Sequence, residues 1–241
     1  MAWQSPKTDW TASDGVRNTD FNRIEENILH LFNNDAARED ITLYVSTTGS
    51  DTTGTGTSSA PFATVSKALS MLPKHLNGKS VNINIASGSY ADDVDIRGFS
   101  GGMLTLTGSL ATTVSFRSLT ISFCTVMISA INITTTGVGG VTVTNGATLI
   151  STSDFICSSA GIKCSNCSRI SIAGKVTIQN AYTAVDAFAN SSIYISTISG
   201  SGNTVGLSAS SGSRISYGLT SLAATTATYT SSGGRITTGA Q

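Results

Sequence analysis

A four-residue phrase recurs along the second half of this chain at nearly constant spacing. It reads Gly140-Val141-Thr142-Val143, Gly161-Ile162-Lys163-Cys164, Ala184-Val185-Asp186-Ala187 and Gly206-Leu207-Ser208-Ala209. Nine positions after each start stands an aliphatic anchor: Leu149, Ile170, Ile193 and Ile215, with Ile236 after a weaker copy that begins at Ala227. A nearly fixed period of about 22 residues marks a solenoid, in which no repeat buries its apolar face alone and stacked repeats share one core. One further period back from Leu149 lands on Met127, the expected anchor of an earlier coil.

The texture inside each period is β. Val, Ile and Thr alternate with small polar residues, as in Val141-Thr142-Val143-Thr144 and Arg169-Ile170-Ser171-Ile172. Gly146, Asn190, Gly212 and Gly233 fall at equivalent positions and suit sharp corners, because they tolerate positive φ. The expected fold class is therefore all-β, a wound sheet whose coils sit ~4.8 Å apart. Repeat phase places Val141, Ile162, Val185 and Leu207 in one inward column. It places Leu149, Ile170, Ile193, Ile215 and Ile236 in another.

The start of the solenoid reads Leu43-Tyr44-Val45, a Gly/Thr/Ser loop through Gly54 and Gly56, and then Pro61-Phe62-Ala63-Thr64-Val65-Ser66-Lys67-Ala68-Leu69. Val81-Asn82-Ile83-Asn84-Ile85 and Val94-Asp95-Ile96 follow. Together with the coil length, this series resembles the right-handed parallel β-helix of the pectin-lyase-like superfamily. The resemblance implies a first strand, a loop and a short helix leading into the first full coil. It bears on fold, since this fold hosts lyases, hydrolases, adhesins and viral tail proteins. The expected organisation is an attachment segment at 1–41, the opening and cap of the β-helix at 42–95, and coils at 96–241.

Charge is neutral overall but unevenly spread. Residues 1–95 hold twelve acids against seven bases, and residues 96–241 hold seven bases against two acids. The bases are too sparse for a nucleic-acid binder, which clusters them. No run approaches the ~20 apolar residues that span a membrane. Residues 1–7 are followed by no apolar core of a secretory signal, so synthesis in the bacterial cytoplasm is expected. Arg169, Arg214 and Arg235 share one slot of the repeat, with Ser192 between the first two. They are solvated arginines or contacts for an anion or glycan. Lys163 and Asp186 share another slot one coil apart, an opposite-charge pair of the kind worth ~0.2–1 kcal/mol.

Cys164-Ser165-Asn166-Cys167 has the C-x-x-C spacing of metal and redox sites. Repeat phase argues against both. Cys164 takes the inward slot of Val143, and Cys167 takes the corner slot of Gly146. Both histidines, His30 and His75, lie before the coils. No metal or cofactor is expected.

Residues 1–41 differ in character. They hold both tryptophans, Trp3 and Trp10, ahead of a helix expected over residues 21–32 and capped by Thr19 or Asp20. Phe21, Ile24, Ile28 and Leu31 form an apolar stripe at i, i+3, i+7 and i+10. A helix this short is marginal alone in water. It either docks on the blunt end of its own β-helix or bundles with copies about a threefold axis. Thr8-Asp9-Trp10-Thr11-Ala12-Ser13-Asp14-Gly15-Val16, followed by Asp20-Phe21-Asn22-Arg23-Ile24-Glu25-Glu26-Asn27-Ile28, resembles the opening of tail and baseplate-associated proteins of phages and prophages of Gram-positive bacteria. That resemblance implies a homotrimer in a virion or phage-tail-like particle, joined to a tail or baseplate protein through residues 1–41.

A sugar-cleaving β-helix needs two carboxylates flanking the scissile bond, ~5–10 Å apart. After Ile96 the chain has only Asp154 and Asp186, and their separation is not a whole number of coils. Asp92, Asp93 and Asp95 at the first coil, or a pair assembled between subunits, remain as alternatives. The expectation is a non-enzymatic tail fibre or spike that projects toward a host surface and contacts its polysaccharide. A tailspike depolymerase and a plain spacer or cellular adhesin are the alternatives.

Overall fold

A computed structural model describes residues 4–8, 11, 13–34 and 36–238. The chain forms a parallel β-solenoid of about seven turns with coils of ~22 residues. Each coil passes through three faces. The strands β5 (Met103–Ser122) and β6 (Thr125–Thr144) run through all three as long bent ribbons. Their mutual register shifts between Thr107 and Thr112 and again between Phe116 and Ser118, where the chain turns from one face to the next.

The first face shows the stacking most fully. Strand β1 (Ile41–Val45) pairs with β2 (Val81–Ile85), which pairs with the start of β5, and so on to β14 (Arg235–Thr238). One inward column runs Ile41, Val81, Leu104, Val126, Leu149, Ile170, Ile193, Ile215, Ile236. The anchor before Leu149 is Val126 rather than Met127, because this coil is slightly longer than the average and Met127 pairs with the outward Ile150. The second face stacks Val114, Ile133, Phe155, Val176 and Ile198. The third face stacks Val94, Leu119, Val141, Ile162, Val185 and Leu207. Both columns expected from the repeat are therefore correctly phased: their members are buried, except that Ile236 at the end of the stack is partly so. In the last coil the columns of Ile198 and Leu207 pass to Thr220 and Thr228, which are exposed.

Corners repeat as faithfully as faces. Asn145 and Gly146 have φ of 57° and 72°, the left-handed pair of a type I′ turn closed by Ala147 N–H donating to Thr144 O at 3.3 Å. The next corners place Cys167, Asn190, Gly212 and Gly233 at the same position, each with positive φ. Their amides bind the coil beyond: Gly146 N–H donates to Asn166 O, Cys167 to Ala189 O, Asn190 to Ser211 O and Gly212 to Ser232 O. The Asn166 side-chain amide also donates to Asn145 Oδ1 at 3.0 Å.

The opening follows the sequence expectation. Helix α2 (Val65–Ser70) is capped by Thr64, whose hydroxyl accepts from Lys67 N–H at 3.1 Å. Asp51 fixes the loop before it by accepting from Ala63 N–H, Thr64 N–H and the Thr64 hydroxyl. Ala37 is buried and donates to His75 O at 2.8 Å, which ties residues just before β1 to the solenoid.

Burying Val185 contributes roughly 1.5–3 kcal/mol, and a carboxylate in its place would find no partner. Val185→Asp should therefore yield no soluble folded protein, whereas Asp186→Ser, one residue along and outward, should express and melt near the parent temperature. Far-UV circular dichroism of both variants checks this. A soluble Val185→Asp with parental melting would refute the register.

Candidate functional site

Two regions remain for function once the core is assigned: the N-terminal helix and the outer face of the coils. Helix α1 spans Asn18–Asn34, beginning before and ending after the expected range. The earlier start has a local cause. Asp20 is not the N-cap; it sits in the first turn and its carboxylate accepts from Arg17 N–H at 3.0 Å, the reach-back half of a capping box. Arg23 closes on the same carboxylate at 3.2 Å.

One helix face is occupied by the chain that precedes it. Gln4 N–H donates to Asn27 Oδ1 at 2.9 Å, and the Asn27 amide returns a bond to Gln4 O at 2.8 Å. Gln4 Nε2 also donates to Glu26. Lys7 and Asp14 pair at 3.1 Å, and Asp14 accepts from Thr11 N–H. Asp20 and Asn27, two turns apart, are both buried. Nothing in the sequence marks the reciprocal Gln4–Asn27 pairing, because Asn27 stands inside an otherwise ordinary polar face.

The apolar stripe lies elsewhere. Phe21, Ile24 and Ile28 are 57%, 48% and 60% exposed, so docking of these three on the solenoid's own end is not what the fold does. Trp3 and Trp10 lie outside the described residues, as does the side chain of Leu31.

On the outer face of the coils, Arg169, Ser192, Arg214 and Arg235 are successive register partners on the first face. The next outward column carries Ser171, Tyr194 and Ser216. A shallow groove of about 560 Å³ lies between and beside these residues and includes Asn190. Repeat phase places all three arginines in one column, and the structure adds the groove and Tyr194. Phase alone could have found Tyr194, two residues beyond Ser192.

The acids are spread out. Asp154 precedes β8 (Phe155–Cys157) on the second face and accepts from Lys175 N–H at 2.7 Å. Asp186 lies in β11 (Thr183–Ala187) on the third face, in register with Lys163. That pair shares its slot as expected but is not among the ion pairs within 4.0 Å of the described residues. Asp93 is held by Arg117 and by the Ser118 hydroxyl at 2.7 Å, and the Arg117 bonds first and Ser118 second pull its carboxyl down to about 2. Asp95 pairs with Arg97. The Asp92 carboxyl is pushed upward, first by burial and then by Asp51, with the Val65 N–H of α2 opposing. Asp51 itself is committed to three donors of the α2 loop, whereas Asp92 Oδ2 is buried with no hydrogen-bond partner among the described residues.

Cys164 is buried between Val143 and Ala187, and burial pushes its thiol up to about 12. Cys167 is exposed at the corner. One side chain faces the core and the other solvent, and no group of three or more potential metal-ligating side chains occurs among the described residues. No helix among the described residues is long and apolar enough to cross a membrane.

The fold and surface define a protein class, the parallel β-solenoids. Compared with known proteins, the chain matches no family model, no curated protein and no solved structure.

Proposed function

We propose that this protein is a structural fibre or spike component of a phage or phage-tail-like particle. Residues before β1 attach it to a tail or baseplate protein, and the solenoid projects toward the host surface. One observation carries the reading: an amphipathic helix whose apolar stripe is open, on a chain whose solenoid completes its core without it. The similarity of residues 8–28 to virion-attachment openings supports it. Three copies about one axis would bury Phe21, Ile24 and Ile28 against their equivalents, with the polar strap of residues 4–8 on the outside. Aromatic residues are favoured at interfaces, which suits Trp3 and Trp10.

The solenoid is read as non-enzymatic. The coils after Ile96 place their two acids on different faces, and Asp93 and Asp95 are each engaged by an arginine. Purified protein should release no oligosaccharide from host wall polymer or capsule. Robust release would favour the depolymerase.

Light scattering of the full chain at micromolar concentration should report three times the 24.7 kDa chain mass. Ile24→Asp with Ile28→Asp should give a monomer of unchanged solenoid melting. A parent protein that is monomeric, or a double variant that stays trimeric, would contradict attachment through this stripe.

A further inference from the structure

We infer that the groove beside Arg169, Ser192 and Arg214 binds an oxyanion of an anionic glycan, with the polymer lying along the solenoid axis. The inference deepens the reading of the solenoid as the host-facing part and rests on it for the source of the glycan. Three independent features of the structure point to this groove.

The first is spacing. Parallel strands set successive register partners ~4.8 Å apart, so Arg169 and Arg214 stand ~10 Å apart across Ser192, and Arg235 continues the row. Guanidinium side chains are long enough to reach inward over that gap. Both can address one oxyanion above the Ser192 hydroxyl, while Arg235 meets a further charge along the same polymer.

The second is lack of counter-charge. None of the three arginine side chains has a hydrogen bond or ion pair among the described residues, whereas Arg23, Arg97 and Arg117 each hold an aspartate. The groove is lined by Arg, Ser, Asn, Tyr, Ile and Gly and contains no acid. The two acids of the coils are on other faces. Like charges directly opposite on neighbouring strands are unfavourable, and Arg214 and Arg235 are such neighbours. An oxyanion offsets that repulsion. Arg is the side chain whose planar fork matches carboxylate, phosphate and sulfate oxygens.

The third is the wall of the groove. Tyr194 is half-buried in the column beside Ser192, between Ser171 and Ser216. Its ring offers one flat apolar surface for a sugar face, and the Ser171 and Ser192 hydroxyls offer donors and acceptors, whereas Ser216 is buried and its hydroxyl pairs with that of Thr237 at 3.1 Å. The corner amides take no part, since Asn190 and Gly212 N–H groups already bond the next coil. Recognition is by side chains alone. A single-stranded nucleic acid would want several stacking aromatics and a denser basic track. One tyrosine and three arginines suit a glycan better.

The groove is formed within one chain. Its failure to bind would leave attachment through α1 standing, and a monomeric chain would leave the groove intact. The test uses the full chain in affinity electrophoresis at low salt, with dextran sulfate, alginate and neutral dextran in the gel and a short oligothymidylate as competitor. Dextran sulfate or alginate should retard the protein, neutral dextran should not, and the effect should fade as salt rises. The two anionic gels separate sulfate from carboxylate recognition. Arg169→Gln with Arg214→Gln should weaken retardation at least tenfold. Lys163→Gln with Lys175→Gln removes the same charge from other faces and should leave it within twofold. The arginine variant should melt no lower than the parent. Retardation by none of the polymers, equal loss in the lysine control, tighter binding of the oligothymidylate than of either glycan, or a markedly lower melting temperature in the arginine variant would each overturn the assignment.

Discussion

Everything in this molecule depends on the parallel, in-register hydrogen bonding of one coil to the next. A single coil has no partner for its backbone amides within itself, so its polar groups and its apolar side chains are satisfied together by its neighbours. Register then forces like onto like. An aliphatic residue at one position of the coil demands an aliphatic residue above and below, which is why Ile41 and Ile236 end the same column although they stand at opposite ends of the solenoid. Outward positions share the register without that demand, so Lys163 stacks on Asp186 and Ser192 separates Arg169 from Arg214. A surface is still read down the axis rather than along the chain.

That constraint explains what the sequence revealed. From Gly140 onward each coil begins with the same phrase, and corners, columns and the inward or outward sense of Cys164 and Cys167 all follow from phase. Before Gly140 the same columns exist but are harder to see. Register changes at the face boundaries occur in both halves, but here one longer coil moves the anchor to Val126 while Met127, also apolar, occupies the neighbouring outward slot. Two adjacent apolar residues on opposite faces of a strand cannot be ranked by hydropathy. The helix was legible from its stripe, yet its start was not. Asp20 satisfies Arg17 N–H from inside the first turn, and an acid near a helix start fits either position.

The surface site was half legible. Arg169, Arg214 and Arg235 declare their column through the repeat, but a groove depends on which neighbouring side chains are small. Ser171, Ser192 and Ser216 leave room beside Tyr194, and that is a property of packing rather than of period. The acids divide by similar logic. Those near the opening brace the first coil and its short helix, with Asp51 on the α2 loop and Asp93 on Arg117. The later coils, with two acids, leave the arginine column uncompensated.

The register itself admits a direct distance measurement. Thr42 and Tyr194 lie in one outward column, six coil steps apart through Asn82, Thr105, Met127, Ile150 and Ser171. Six steps of ~4.8 Å place their backbones ~29 Å apart. Spin labels at Thr42→Cys and Tyr194→Cys, with the exposed Cys167 replaced by Ser and with Ile24→Asp and Ile28→Asp added to remove distances between copies, would report this by double electron–electron resonance. A single narrow distribution centred near ~29 Å, within the reach of the label arms, is the predicted result. A broad distribution, or a centre displaced by two or more coil steps, would contradict a continuous in-register solenoid.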